Sequence, residues 1–223
     1  TFATENDYAV TVTLMDGTSD AWGEVVVNGE TKYLRDHIEI IKGSTYGDTI
    51  TGYNGTPISG KTVADYIDTL LGEGGNDLIK GGIGADLLVG GDADDTIWGQ
   101  AGNDTIYGGT VTFNVSGAVA TNSVSGTDFA SYDDATSGIT VYLDNKDASG
   151  GTVDHTVMND GFGTTDDLYN IKGVIGSSNN DIIKGDRNHN TIIGGIGSDT
   201  IIASDGGDYI YGGEGSDLLD FSA

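Results

Sequence analysis

The chain has 223 residues, a formal charge of −26, nine Lys or Arg and no Cys. The basic residues are scattered, so a nucleic-acid interface built on a positive patch is excluded, and without Cys there are neither disulfides nor thiolate metal sites. Asp outnumbers Glu 29 to 6, a bias that a generic acidic surface does not need and that turn-borne metal ligands do, because the shorter carboxylate bends back onto its own turn.

In chain order, Thr1 to Ile41 is strand-like. Val10 to Leu14 alternates, Val25 to Val27 is a short apolar run, and Ile38 to Ile41 follows. Gly43 to Thr51 reads as one degenerate nine-residue repeat with Asp48 and Ile50 in phase. Residues 52–67 break the frame. Inside the break, Gly55 to Thr62 (GTPISGKT) matches the P-loop pattern. A P-loop requires a parallel sheet wrapped in helices and a second Mg²⁺ ligand after an apolar strand, and this chain offers neither. The stretch is therefore expected to be a surface loop with one short helix, and no nucleotide is expected as a partner.

Asp68 to Leu70 restores the frame, and from Gly72 to Tyr107 the chain falls into four uninterrupted nonamers: GEGGNDLIK, GGIGADLLV, GGDADDTIW and GQAGNDTIY. Each carries Gly or small residues among its first four places, Asp at the sixth (Asp77, Asp86, Asp95, Asp104) and an aliphatic at the eighth (Ile79, Leu88, Ile97, Ile106). The same frame returns from Gly176 to Asp220. Between the blocks, Thr110 to Gly126 is Ser/Thr/Val/Gly-rich and reads as a connector or edge hairpin. Ile139 to Leu143 then echoes Val10 to Leu14, and Ile171 to Ser177 echoes Ile38 to Ser44. The expected layout is a strand-rich segment plus a first block (1–110, repeats about 43–51 and 68–107), a connector (111–126), and a second strand-rich segment plus block (127–223, repeats 176–220). Leu219 to Ala223 echoes Thr127 to Ser131, which points to a piece of a longer array.

Glycine tolerates positive φ and close backbone approach, so six residues can make a tight turn, and the next three suit a short strand with its middle side chain inward. A nonamer is then half a coil, and turns on one edge stack at repeats n and n+2, about 4.8 Å apart. Stacking sets Asp77 on Asp95, Asp86 on Asp104, Asp181 on Asp199, and Asp199 on Asp217. At about 5 Å and an effective dielectric near 20, each such pair repels by roughly 3 kcal/mol. A hard cation held by carboxylates and turn carbonyls resolves that repulsion, and oxygen-only ligation points to Ca²⁺.

These nonamers resemble the RTX (repeats-in-toxin) family, a parallel β-helix repeat that binds Ca²⁺. The resemblance implies an all-β, right-handed parallel β-roll (a β-solenoid), with one ion between turns n and n+2 held by sixth-position carboxylates and carbonyls of the first four turn positions. It assigns Asp77, Asp86, Asp95, Asp104, Asp181, Asp199, Asp208 and Asp217 as ligands, with Asp68 and Asp48 in less glycine-rich turns. Asn190 occupies a ligand place without charge, so its site with Asp208 is expected to be weaker. Carbonyl ligands are expected at Gly75, Gly82, Gly84, Gly90, Gly99, Gly194, Gly195, Gly197 and Gly212. About six ions are expected. Type I secretion is implied as well.

The remaining candidates favour plain roles. His37, His155 and His189 form no HExxH arrangement and read as surface or turn residues. Asp133–Asp134 and Asp166–Asp167 are paired carboxylates without a nucleophile, expected in solvated loops or as extra Ca²⁺ ligands. Asp92, Asp205 and Glu214 stand at third turn positions and add negative field. Trp98, Tyr107, Tyr209 and Tyr211 flank strands as packing residues. The Thr series is too interrupted for a ligand-binding ladder. No catalytic residue is expected. The reading is a calcium-dependent structural segment of a secreted or cell-surface bacterial protein, of adhesin or surface-layer type, folding on Ca²⁺ binding after export. Its partners would be calcium ions, neighbouring repeats and cell-surface components. The alternative is the non-catalytic calcium-binding appendage of a secreted protease, lipase or alginate epimerase.

Overall fold

The computed structural model describes residues 9–13, 23–27, 30–34, 40–55, 62, 66–114, 117–120, 126–143 and 155–221. Among these every element is a strand and none is a helix. His37, the P-loop-like residues 56–61 and residues 63–65 lie outside the described residues, as does the side chain of His155. The short helix expected from the spacing of Val63, Ile67, Leu70 and Leu71 is overturned at its far end, where Thr69–Gly74 is a strand.

Two ten-stranded sheets carry the chain. The strands alternate between them: Leu78–Ile83 and Thr96–Ala101 lie in one sheet, Leu87–Asp92 and Thr105–Tyr107 in the other. Within each sheet, parallel partners in the blocks are 18 residues apart, as in Ile79 opposite Ile97 and Leu70 opposite Leu88. That is the n to n+2 stacking of a roll in which each nonamer is half a coil. The sheets are not closed.

The eighth-position side chains build the core. One file runs Val12, Ile50, Ile79, Ile97, Ala130, Val174, Ile192 and Ile210. The facing file contains Ile41, Leu70, Leu88, Ile106 and Leu168, then Val141, Ile183, Ile201 and Leu219. Ile50, Leu70, Ile79, Leu88, Ile97, Ile106, Ile183 and Ile192 are 0% exposed. Period-two burial within three-residue strands leaves one inward aliphatic per strand, worth about 2–3 kcal/mol each. Leu219 departs from the expectation of a buried aliphatic at every repeat. It is 41% exposed, because no further strand of the described chain stacks on Leu218–Asp220.

Several strands are longer than the expected three residues. Leu78–Ile83 and Leu87–Asp92 run six residues, through the first glycines of the following turn. At the second turn position the backbone turns left-handed while staying in register. Gly82 has φ +109°, and a Cβ there would lie 2.1 Å from the Tyr53 carbonyl oxygen. Glu73 and Gln100 take the same place with φ 80° and 68°, so the turn imposes this conformation even where Gly is absent.

The segments that read as flanking strands are woven into the same sheets. Phe129–Ser131 pairs with Thr96–Ala101 on one side and Gly173–Ile175 on the other, so the strands of both nonapeptide blocks share one sheet. In the other sheet, Asp166–Tyr169 pairs parallel with Thr105–Tyr107. His155–Asn159 then runs antiparallel between Asp166–Tyr169 and Thr140–Tyr142. Val111–Asn114 and Gly117–Ala120 form a separate antiparallel hairpin.

Candidate metal centre

The sixth-position residues line the two edges where the sheets meet. Each Asp Oδ1 accepts the main-chain N–H of the sixth-position residue two nonamers earlier. On one edge Asp77 accepts from Asp48 at 2.7 Å, Asp95 from Asp77 at 2.9 Å and Asp128 from Asp95 at 3.2 Å. On the other, Asp86 accepts from Asp68 at 2.8 Å, Asp104 from Asp86 at 2.8 Å and Asp166 from Asp104 at 3.1 Å. In the second block Asp199 accepts from Asp181 at 3.0 Å, Asp217 from Asp199 at 3.1 Å and Asp208 from Asn190 at 3.0 Å. The stacking is thus a carboxylate–amide ladder, with one oxygen of each Asp committed to it.

The second oxygen differs. Among the described residues, Oδ2 of Asp77, Asp86, Asp95, Asp104, Asp128 and Asp199 is buried and accepts no hydrogen bond. A buried carboxylate oxygen without a donor is costly unless a cation meets it. The surroundings fit a cation. The point where a Cβ would sit on Gly72 lies 2.1 Å from Asp77 Oδ2 and 2.4 Å from the Gly90 carbonyl oxygen. At Gly90 the corresponding distances are 2.2 Å to Asp95 Oδ2 and 2.7 Å to the Gly108 carbonyl oxygen. Gly81, Gly176 and Gly194 repeat the arrangement with Asp86, Asp181 and Asp199. Two oxygens, one charged, converge on a space that only a first-position glycine leaves open, and no N–H or O–H enters it at the six Asp named above. Among the described residues no cluster of three or more His, Asp or Glu forms. The donor set is mixed instead, carboxylate plus main-chain carbonyl, which is hard-cation ligation.

Not every ladder Asp is alike. Asp181 Oδ2 accepts the Ser177 N–H at 2.7 Å and its Oδ1 accepts the Ser177 hydroxyl at 2.8 Å. Asp48 is held in the same way by Ser44. In both turns a second-position Ser supplies the donors that the six orphaned oxygens lack. Asp68 Oδ2 accepts the Tyr53 N–H at 3.0 Å. Asn190 is buried, and its Oδ1 accepts the Asp186 N–H at 2.7 Å. Asp208 is half-buried and Asp217 exposed, at the end of the roll.

Burial pushes these carboxyls up, with the stacked carboxylates adding to it and the ladder N–H groups opposing it. Asp77 is raised to about 8 and Asp86 and Asp95 to about 7. Asp104 and Asp166, packed against one another, are both raised, by burial first and then by neighbouring carboxylates. Burial raises Asp128 only to about 6, the Asp95 N–H opposing it first and Lys172 second.

Of the glycines expected to offer carbonyls, Gly90, Gly99, Gly194 and Gly212 stand at first positions beside their carboxylates. Gly75, Gly84 and Gly197 are fourth-position residues with φ +92°, +123° and +145°, and Gly82 and Gly195 are left-handed second-position residues. Asp92, Asp205 and Glu214 point to solvent. Asp133 and Asp134 are exposed and accept from Trp98 Nε1 and Gln100 Nε2, both at 2.7 Å. Lys80 lies over the Trp98 ring at 4.6 Å from its centroid. His189 is an exposed turn residue against the Gly207 carbonyl.

Two ladder members do not stand out as such in the sequence. Asp166 is no solvated loop residue. It is 1% exposed, with Tyr132 Oη donating to its Oδ2 at 3.2 Å. Asp128, 0% exposed, is absent from the nonameric frame altogether. Both keep the sixth-to-eighth spacing, in Asp128-Phe129-Ala130 and Asp166-Asp167-Leu168. Their turns are interrupted, however, by the hairpin at Val111–Ala120 and the antiparallel strand at His155–Asn159.

A roll of stacked nonamers with orphaned carboxylates on its edges defines a class of metal-binding solenoids. The sequence profile of the RTX calcium-binding nonapeptide repeat, in four copies, matches residues 35–56, 64–92, 81–110, 175–207 and 193–223, more than half of the chain. The chain belongs to this family. RTX repeats bind Ca²⁺ and form structural rather than catalytic segments, typically of secreted bacterial proteins. No curated protein gives a significant match to the sequence.

Proposed function

We propose that this segment is a calcium-dependent scaffold of a secreted or cell-surface bacterial protein, of adhesin or surface-layer type, which stays unfolded before export and stiffens outside the cell. The observation that carries the reading is the row of buried, donorless Oδ2 atoms on Asp77, Asp86, Asp95, Asp104, Asp128 and Asp199. Calcium bound there supplies the positive charge that stacked carboxylates lack. Asp77 with Asp95, Asp95 with Asp128, Asp68 with Asp86, Asp86 with Asp104, Asp104 with Asp166, and Asp181 with Asp199 would hold it, together with first-position carbonyls such as those of Gly81, Gly90, Gly108 and Gly194. The chain's own residues do the positioning. Oδ1 is tied to the ladder, the turn is fixed by left-handed second and fourth positions, and the eighth-position aliphatic anchors each strand. Because those carboxylates repel when ionised and bare, metal binding and folding are coupled. Extracellular sites of this kind bind at roughly 10⁻⁴–10⁻³ M, so they fill outside the cell and stay bare in the cytosol.

The test is far-UV circular dichroism during a Ca²⁺ titration from EDTA, with Mg²⁺ as control. A coil-to-β transition near millimolar Ca²⁺ and none with Mg²⁺ is expected. A complete β spectrum in EDTA at pH 7.5 would refute the switch.

A further inference from the structure

Between the two blocks the carboxylate ladder is interrupted on both edges of the roll. On one edge the residue in the sixth place is Lys172. Its neighbour Gly173 pairs with Phe129 and with Thr191, which puts Lys172 between Asp128 and Asn190. Lys172 plays the main-chain part of a ladder Asp, since its carbonyl accepts the Thr191 N–H at 3.0 Å, as that of Asp77 accepts the Thr96 N–H at 2.9 Å. Its side chain does something no Asp can do. The ammonium donates to the carbonyl of Gly126, a left-handed residue two before Asp128 and so the fourth-position residue of that turn.

The turn that carries Lys172 is also short. From the end of Asp166–Tyr169 to the sixth place there are only Asn170, Ile171 and Lys172, where the regular nonamers have six residues. Half of the carbonyls that line a regular turn are missing. Asn190, next along the edge, turns its Nδ2 to the Lys172 carbonyl at 3.4 Å. On the opposite edge the sixth place is taken by Ile139, whose N–H donates to Asp181 Oδ1 at 2.8 Å and whose side chain is 1% exposed. Ile139 belongs to the same buried core as Tyr132, Ala135, Leu143, Val157 and Ile171, so an aliphatic side chain takes the place of a ladder carboxylate.

We propose that Lys172, an ammonium where the ladder elsewhere carries a carboxylate, interrupts the metal file together with Ile139 on the opposite edge and divides it into two blocks that fill independently. The proposal rests on the calcium reading above. An ammonium in the sixth place cannot act as a ligand and instead donates to the Gly126 carbonyl. Independence follows because no carboxylate is shared across this interruption. Asp128 closes the first block on one edge and Asp166 on the other, while the second begins at Asp181 and Asp208.

The experiment compares the parent chain with Lys172→Met and Lys172→Arg. The readouts are native mass spectrometry for bound Ca²⁺ and thermal melts at saturating Ca²⁺. The expected result is an unchanged ion count in all three, with Lys172→Met melting roughly 3 °C lower. Tenfold more Ca²⁺ should not restore it, and Lys172→Arg should stay close to the parent. A Lys172→Met chain that gains an ion, or that melts with the parent, overturns the assignment. Peptide-level hydrogen exchange across a Ca²⁺ titration of Asp95→Ala tests the division. Protection of Leu78–Ile83 should shift to higher Ca²⁺ while that of Tyr209–Glu214 stays put, and a joint shift overturns independence. If the parent itself binds no Ca²⁺, the calcium reading falls and this inference with it. Failure in Lys172→Met alone leaves the calcium reading standing.

Discussion

Replacing Asp86 by Asn separates the two roles of a ladder carboxylate. The Asn Oδ1 can still accept the Asp68 N–H, now at 2.8 Å. Its Nδ2 takes the place of the donorless Oδ2 and points a donor at the space it shares with the Gly99 carbonyl, both 2.7 Å from the Cβ position of Gly81. Without metal, burial lifts the Asp86 carboxyl from 3.8 to about 7. Holding it ionised at pH 8 therefore costs on the order of 4 kcal/mol, which a neutral amide avoids. With metal, the substitution strips a ligand from the two sites that Asp86 shares with Asp68 and Asp104. At Ca²⁺ 100-fold above Kd each site contributes about 2.7 kcal/mol, so about 5 kcal/mol of calcium-induced stabilisation disappears. For a chain of this size that is about 10–20 °C of the Ca²⁺-induced rise in melting temperature. The variant should be more ordered than the parent in EDTA and less responsive to Ca²⁺, with two fewer ions by native mass spectrometry. A full complement of ions in Asp86→Asn would refute the shared-ligand ladder.

Other outcomes follow from the same geometry. The raised carboxyls of Asp77, Asp86 and Asp95 bind protons more tightly folded than unfolded, so their contribution to the metal-free fold is complete below about pH 4 and lost as pH rises through about 7–8. In EDTA, circular dichroism should show more β structure at pH 5 than at pH 8. The Ca²⁺ midpoint should rise as pH falls below 7, and a pH-independent midpoint would contradict the burial of these groups. Gly90→Ala places a methyl 2.2 Å from Asp95 Oδ2 and 2.7 Å from the Gly108 carbonyl oxygen at a residue whose backbone is not left-handed. It should therefore lose about one site's worth of calcium stabilisation, about 2.7 kcal/mol in Ca²⁺-dependent melts, and because the Gly108 oxygen is main chain the metal-free fold should be destabilised as well. Tyr132→Phe removes the hydroxyl that serves Asp166 Oδ2 and should cost about 2 kcal/mol in urea unfolding at saturating Ca²⁺.

The nonameric period alone determined the roll, because a nine-residue spacing of Asp and aliphatic fixes which residues turn inward and which meet at n+2. It reached Asp77, Asp86, Asp95, Asp104, Asp181, Asp199, Asp208 and Asp217 without a structure, and orphaned oxygens lie on five of these eight. What it could not reach is where the frame is broken. Asp128 and Asp166 join the ladder only because strands separated by a hairpin and an antiparallel insertion return to the same sheets. The donors that reach Oδ2 of Asp48 and Asp181, and that Asp77 and Asp199 lack, are the main-chain N–H groups of Ser44 and Ser177, set by the local turn and without trace in a repeat pattern. Lys172 is the clearest case. In the sequence it is one of nine scattered basic residues. Only the pairing of Gly173 with Phe129 and Thr191 places its charge on the carboxylate edge. Local periodicity is set by chain geometry and is legible in the sequence, whereas the meeting of distant, out-of-frame residues is decided by sheet register, which only the tertiary structure supplies.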